Sequence, residues 1–149
     1  LLSLPFIGDV ATKFSTSQLA RTLATLLGGG IPLVSALDVA SRAVSNRHLA
    51  RELNEISQEV REGQSLSACM RQRPAFPSVA VKMVEVGEST GALQDMLNNV
   101  ADFFDEEIET SLTRFMALIE PVLLVVMGIV IAGLLVSLYL PLFQLGAIV

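Results

Sequence analysis

The hydrophobic pattern of this chain changes character at residue 121. Ahead of it, apolar residues recur at intervals of three and four among polar ones. From 121 to 149 the stretch PVLLVVMGIVIAGLLVSLYLPLFQLGAIV contains no charged side chain. Residues 122–140 alone offer 19 positions, about 28 Å as helix, close to the ~30 Å hydrocarbon thickness of a bilayer. Thirteen of them are Leu, Ile or Val, together favouring insertion by roughly 4 to 8 kcal/mol at the upper bound. A membrane-spanning helix over 121–141 is expected, with 142–149 as a short periplasmic tail.

The part ahead of the span reads as helices only. Ser15 followed by Gln18 fits a capping box, after which Leu19, Leu23, Leu26 and Leu27 share a face until Gly28, Gly29 and Gly30 stop them. Residues 1–13 are therefore assigned to a linker. Pro32 suits the start of a second helix bearing Leu33, Leu37, Ala40 and Val44. Asn46 caps a third, in which Leu49, Leu53, Ile56 and Val60 form an apolar stripe that Gly63 ends. Ser65 opens a short fourth helix to about Arg71, and 79–85 reads as a fifth after Pro74 and Pro77. A turn over 87–91 is expected next. From Ala92 to Glu120 the pattern Leu93, Leu97, Val100, Phe104, Ile108, Leu112, Phe115, Ile119 runs on without Gly or Pro. Pro121 should then kink this helix or start a new one. No segment alternates with period two, so the class is all-α: an antiparallel six-helix cytoplasmic bundle over 14–120, followed by one transmembrane helix.

Charge adds a placement. All ten Lys and Arg lie ahead of the span, which puts the amino-terminal side in the cytoplasm. The net charge of −5 conceals opposite halves: residues 1–82 hold nine bases and six acids, net +3, and residues 83–120 hold one base and nine acids, net −8. Without a dominant basic stripe, nucleic-acid binding has little support. Cys69 is the single cysteine and His48 the single histidine, which leaves no internal disulfide and no Cys/His zinc set. The apolar start, LLSLPF, is too short and too uncharged for a signal peptide, and the chain reads as a piece of a longer protein.

Candidate chemistry is sparse. GESTG at 87–91 matches the G-x-S-x-G pattern of a hydrolase elbow, but that motif needs a strand before the serine and a histidine after it. The helical pattern before Ser89 and the upstream position of His48 argue instead for a helix-to-helix turn. GGGIPLVS lacks the Lys-Ser/Thr ending of a phosphate loop, so no nucleotide or other cofactor is expected. Asp102, Glu106 and Glu109 fall on one side of the long helix with Asp105 and Glu107 beside them. Three readings stay open for this face: a solvated surface partly offset by the domain's own arginines, a dock for a basic partner, or a divalent-cation site. In the span, Gly128 with Ala132 and Gly133 with Ser137 form small-xxx-small pairs suited to helix packing.

Taken together, RTLATLLGGGIPLVSALDVASRAVSN, VREGQSL, FPSVAVKMVEVGESTGAL, ADFFDEEIE, the IEP at 119–121 and YLPLFQLGAIV resemble the type II secretion F domain family, on its type IV pilus side. The series covers nearly the whole chain and looks like the carboxy-terminal half, a second F-type repeat with the last span. The resemblance implies a non-enzymatic platform of the bacterial inner membrane. Its implied partners are a hexameric assembly or retraction ATPase, pilins, other inner-membrane assembly proteins, membrane lipid and further copies of itself. It carries roles to Gly87, Glu88 and Gly91 in the turn, Glu107 in the acidic helix, Glu120 and Pro121 as a hinge, and Pro141 at the periplasmic end. Glu88 joins Asp102, Glu106, Glu107 and Glu109 as a partner-binding candidate. Gln94 stands where the family usually has an acid and Phe104 where it usually has Tyr. A secretion-system platform and a tail-anchored adaptor are the alternatives, and a membrane-anchored enzyme is a weaker one because titratable groups are so few.

Overall fold

In a computed structural model, which describes residues 5–148, six α-helices follow one another and no strand occurs among the described residues. They are α1 (Pro5–Gly28), α2 (Leu33–Ala43), α3 (Arg47–Arg61), α4 (Leu66–Arg71), α5 (Ser78–Thr90) and α6 (Leu93–Ile148). The chain divides into two compact units, the first ending at Glu109 and the second beginning at Thr110.

Local chemistry sets most helix ends in the first unit. Asn46 Oδ1 accepts the backbone N–H of His48 at 2.9 Å and of Leu49 at 3.4 Å, which fixes the start of α3. Ser65 Oγ accepts from Ala68 and opens α4. Gly30, Gly63 and Gly91 each hold a positive φ, of 84°, 102° and 73°, where a side chain would be strained. Consecutive helices from α1 to α5 pack as neighbours. Leu19 and Leu23 of α1, Leu37 of α2, Leu53 and Ile56 of α3, Leu66 of α4, Val84 of α5 and Leu97, Val100 and Phe104 of α6 meet in one core. Phe104 is 3% exposed there.

Three boundaries differ from the expected ones. Helix α1 starts at Pro5, so Ser15 and Gln18 are interior residues and cap nothing. Gly8 is the one helix breaker between Pro5 and Ser15 and α1 runs through it, so residues 5–13 of the expected linker are helical; residues 1–4 lie outside the described residues. Helix α5 continues through Gly87, Glu88 and Ser89 to Thr90, and the turn shrinks to Gly91 and Ala92. Helix α6 contains both Pro121 and Pro141 and reaches Ile148, so neither proline ends it or begins another helix. A proline removes one hydrogen bond from a long helix, and the turns on either side carry it on.

The described part of the second unit is the stretch of this helix from Thr110 onward. Every described residue from Leu112 onward is exposed, and the most apolar window has a mean hydropathy of 2.8 with none of it buried. By length and composition it is able to cross a membrane.

One contact governs how the last two helices of the core meet. Gly87 is buried in α5, and a Cβ there would lie 2.9 Å from Met96 Cβ and 3.0 Å from Leu93 Cα. Gly87→Ala must push the α6 backbone away, and should lower stability by about 1 to 3 kcal/mol in chemical denaturation of the detergent-solubilised chain. An unchanged midpoint would show that the two helices do not touch at this point.

Candidate functional site

The acidic face of α6 is met by donors from α1. Lys13, Ser17 and Arg21 are spaced by four and so line one side of that helix. Arg21 reaches Asp102 at 2.8 Å, Asp105 at 3.1 Å and Asn98 at 3.5 Å. Ser17 Oγ donates to the Asp105 carboxylate and lies 3.3 Å from the Ala101 carbonyl. Lys13 stands 3.5 Å from Glu107 and 2.9 Å from Asp9. The hydrogen bonds that Arg21 donates to Asp102 and Asp105 hold its guanidinium above its ordinary range, and Asp9 chiefly, with Glu107, raises the Lys13 ammonium. Three of the five clustered acids are therefore offset within the chain. Glu106 and Glu109 are exposed and have no ion pair among the described residues. No group of three or more His, Cys, Asp or Glu side chains is arranged to hold a metal ion among the described residues.

Glu88 is half-buried and turned inward. Its Oε2 accepts the Leu66 N–H at 2.9 Å and its Oε1 the Ser67 N–H at 2.8 Å. With Ser65 on Ala68, the first free donors of α4 are all satisfied, and a negative charge sits at the positive end of that helix. Glu88 thus clamps α5 to α4. Ser89 Oγ donates to the Glu85 carbonyl at 3.0 Å from within α5, so no nucleophile elbow exists.

Pattern reading passed over Arg73. It is 11% exposed and forms a two-pronged pair with Glu59, at 2.9 and 3.1 Å, while also donating to the Cys69 carbonyl at 2.8 Å. This ties the turn after α4 to α3. The Glu59 carboxyl is held below its ordinary value by Arg73 first and by the Cys69 thiol second. Burial, then Glu59, pushes that thiol up to about 11, which makes it inert at neutral pH. His48 is exposed, with Nδ1 3.6 Å from Glu52. Glu120 and Pro121 lie within α6 and are exposed. A Cβ at Gly128 or Gly133 would meet open space, and Ala132 and Ser137 are exposed on the same helix.

The sequence is similar to that of known proteins. The family model for type II secretion system (T2SS), protein F, matches residues 19–141. The type IV pilus assembly protein PilC of Pseudomonas aeruginosa is 38% identical over 149 residues, all of this chain and 40% of that protein. PilC of Myxococcus xanthus is 38% identical over 148 residues, 99% of this chain and 36% of its own length. Type II secretion system protein F of P. aeruginosa is 32% identical over 149 residues, all of this chain and 37% of its length. The chain thus spans about two fifths or less of the curated relatives it matches.

Two measurements test the internal ties. Glu88→Ala leaves two donors at a short helix without their acceptor, and should cost about 2 to 4 kcal/mol in chemical denaturation. Because the Glu59 value is lowered on folding, its contribution is complete above about pH 4.5 and is lost as pH falls through the depressed value. Thermal midpoints followed into acid should therefore fall less steeply for Glu59→Gln than for the parent chain; equal slopes would contradict the Arg73 tie.

Proposed function

Because the chain belongs to the type II secretion system protein F family, we propose that it is a non-enzymatic inner-membrane platform of type IV pilus assembly, coupling a cytoplasmic ATPase to pilin movement. The observation that supports the pilus assignment is the 38% identity to two PilC proteins; identities run from 32 to 38% for the pilus assembly relatives and from 32 to 35% for the secretion relatives. On this reading the helical unit faces the cytoplasm, as the placement of all the basic residues ahead of the apolar stretch supports. The platform of a type II secretion system is the second reading.

The bundle is read as antiparallel. Partner numbers descend along α6, to Glu107 for Lys13, Asp105 for Ser17 and Asn98 for Arg21, as α1 is followed forwards. That order supports opposite directions for these two helices, and the short links between neighbouring helices support it for the others. Glu106 and Glu109, with Asp102 and Glu107 at their edge, form the surface offered to a basic partner such as the ATPase or another assembly protein. Glu88 serves that surface indirectly, by holding the bundle. Glu120 and Pro121 are the joint through which motion passes along the long helix. Gly128, Ala132, Gly133 and Ser137 are the contact line for pilin helices, other spans or further copies of the protein.

Deleting the gene in its source bacterium separates the two machines. Loss of surface pili with secretion intact is the expected outcome, whereas lost secretion with normal pili would assign the protein to the secretion system. In the restored strain, Glu106→Lys with Glu109→Lys should reduce piliation at unchanged membrane levels, and Pro121→Ala should alter pilus assembly without loss of membrane insertion.

A further inference from the structure

Five of the nine bases in the helical unit are held in ion pairs with carboxylates: Lys13, Arg21, Arg61, Arg71 and Arg73. Three of the other four gather at one corner. Arg42 sits in the last turn of α2, Arg47 opens α3 after the link 44–46, and Arg51 follows one turn later on the same face. The two helices pack against each other. All three side chains are exposed, and none has an ion pair or hydrogen bond among the described residues. The acids one turn away are already engaged, Asp38 by Arg61 and the Ser57 hydroxyl, Glu55 by Arg73. Glu52, beside Arg51 in the chain, is largely buried, and the exposed acids Glu106 and Glu109 belong to α6. This corner therefore keeps three like charges that repel one another. The front of α1 borders it, lining one groove with Asn46, His48 and Leu49, and carries the exposed Ile7 and Phe14, seven residues apart on one side.

We propose that this corner rests on the anionic phospholipid surface of the membrane, its three guanidinium groups on lipid phosphates and Ile7 and Phe14 at the acyl boundary, which depends on reading 121–141 as a span. Guanidinium groups pair well with phosphate, and bases beside exposed apolar side chains suit a surface that offers headgroups and acyl chains together. Covalent attachment favours lipid over an acidic protein. The chain passes from Glu109 into the uncharged stretch at Pro121 within twelve residues, so the unit is held beside lipid at high local concentration.

The test uses the full chain in lipid nanodiscs. Because Cys69 is buried, a fluorophore can be placed at Ser45→Cys in the α2–α3 link, or at Glu62→Cys at the far end of α3 as control. With about 30% phosphatidylglycerol, quenching by headgroup-labelled lipid should be roughly threefold stronger at position 45 than at position 62. The difference should vanish in phosphatidylcholine discs and in about 0.5 M salt. Arg42→Gln, Arg47→Gln and Arg51→Gln together should remove it, while Arg42→Lys, Arg47→Lys and Arg51→Lys together should keep most of it. Equal quenching at the two positions, the same difference in phosphatidylcholine, or a difference that survives the three glutamines would overturn the proposal with the membrane reading intact. A chain that does not stay with the discs would overturn both. In cells, a photocrosslinker at Ser45 should give phospholipid adducts; adducts mapping instead to an acidic segment of another protein would overturn the assignment to lipid.

Discussion

The close crossing of α5 and α6 at Gly87 is the constraint on which the rest of the helical unit depends. With no side chain between them, the backbone of Leu93 comes within contact distance of α5. The next residue, Glu88, bonds the free N–H groups of α4, with which α5 packs, and only Gly91 and Ala92 reverse the chain into α6. A left-handed residue is required there, and glycine supplies it at φ 73°. The hydrolase-like spacing of 87–91 is thus a packing device: each glycine and the acid has a steric or hydrogen-bonding task, and Ser89 only returns its hydroxyl to its own helix.

The second organising interaction is electrostatic. The basic and acidic halves of the chain, read from composition alone, meet where α1 lies along the first turns of α6. Arg21 and Lys13 absorb part of the charge that would otherwise make α6 repel itself. These pairs are solvent-exposed and therefore weaken as salt rises, while the apolar core beneath them does not. The face left over at Glu106 and Glu109 is narrower than the run of acids in the sequence suggests.

How much of this was legible beforehand follows the range of the interactions. The starts of α3 and α4 could be read because Asn46 and Ser65 bond to donors two or three residues away, and the end of α3 because Gly63 acts locally. The start of α1 could not, since Ser15 with Gln18 has the composition of a cap, and Gly8 ahead of it weakens the helical signal that α1 nevertheless carries through. The extent of α5 depends on α6, and the destination of Glu88 on α4, both set by tertiary packing. Arg73 carried no periodic signal because it lies in a turn; its partner Glu59 looked like one more charge on a solvated face. For the acidic helix, the four-residue spacing of Lys13, Ser17 and Arg21 was the available hint.

The two prolines of α6 have a mechanical consequence. Lacking an N–H, Pro121 deprives the Ala117 carbonyl of its usual donor, and Pro141 does the same to Ser137. The two acceptors are separated by roughly twenty residues, about 30 Å of helix, which matches the distance between the polar layers of a bilayer. In a membrane they act as a pair of depth gauges, each satisfied where water or headgroups can reach it. Sliding the helix along the membrane normal by one turn, about 5.4 Å, would drag one of them into hydrocarbon at a cost of several kcal/mol. Turning about its own axis carries no such penalty.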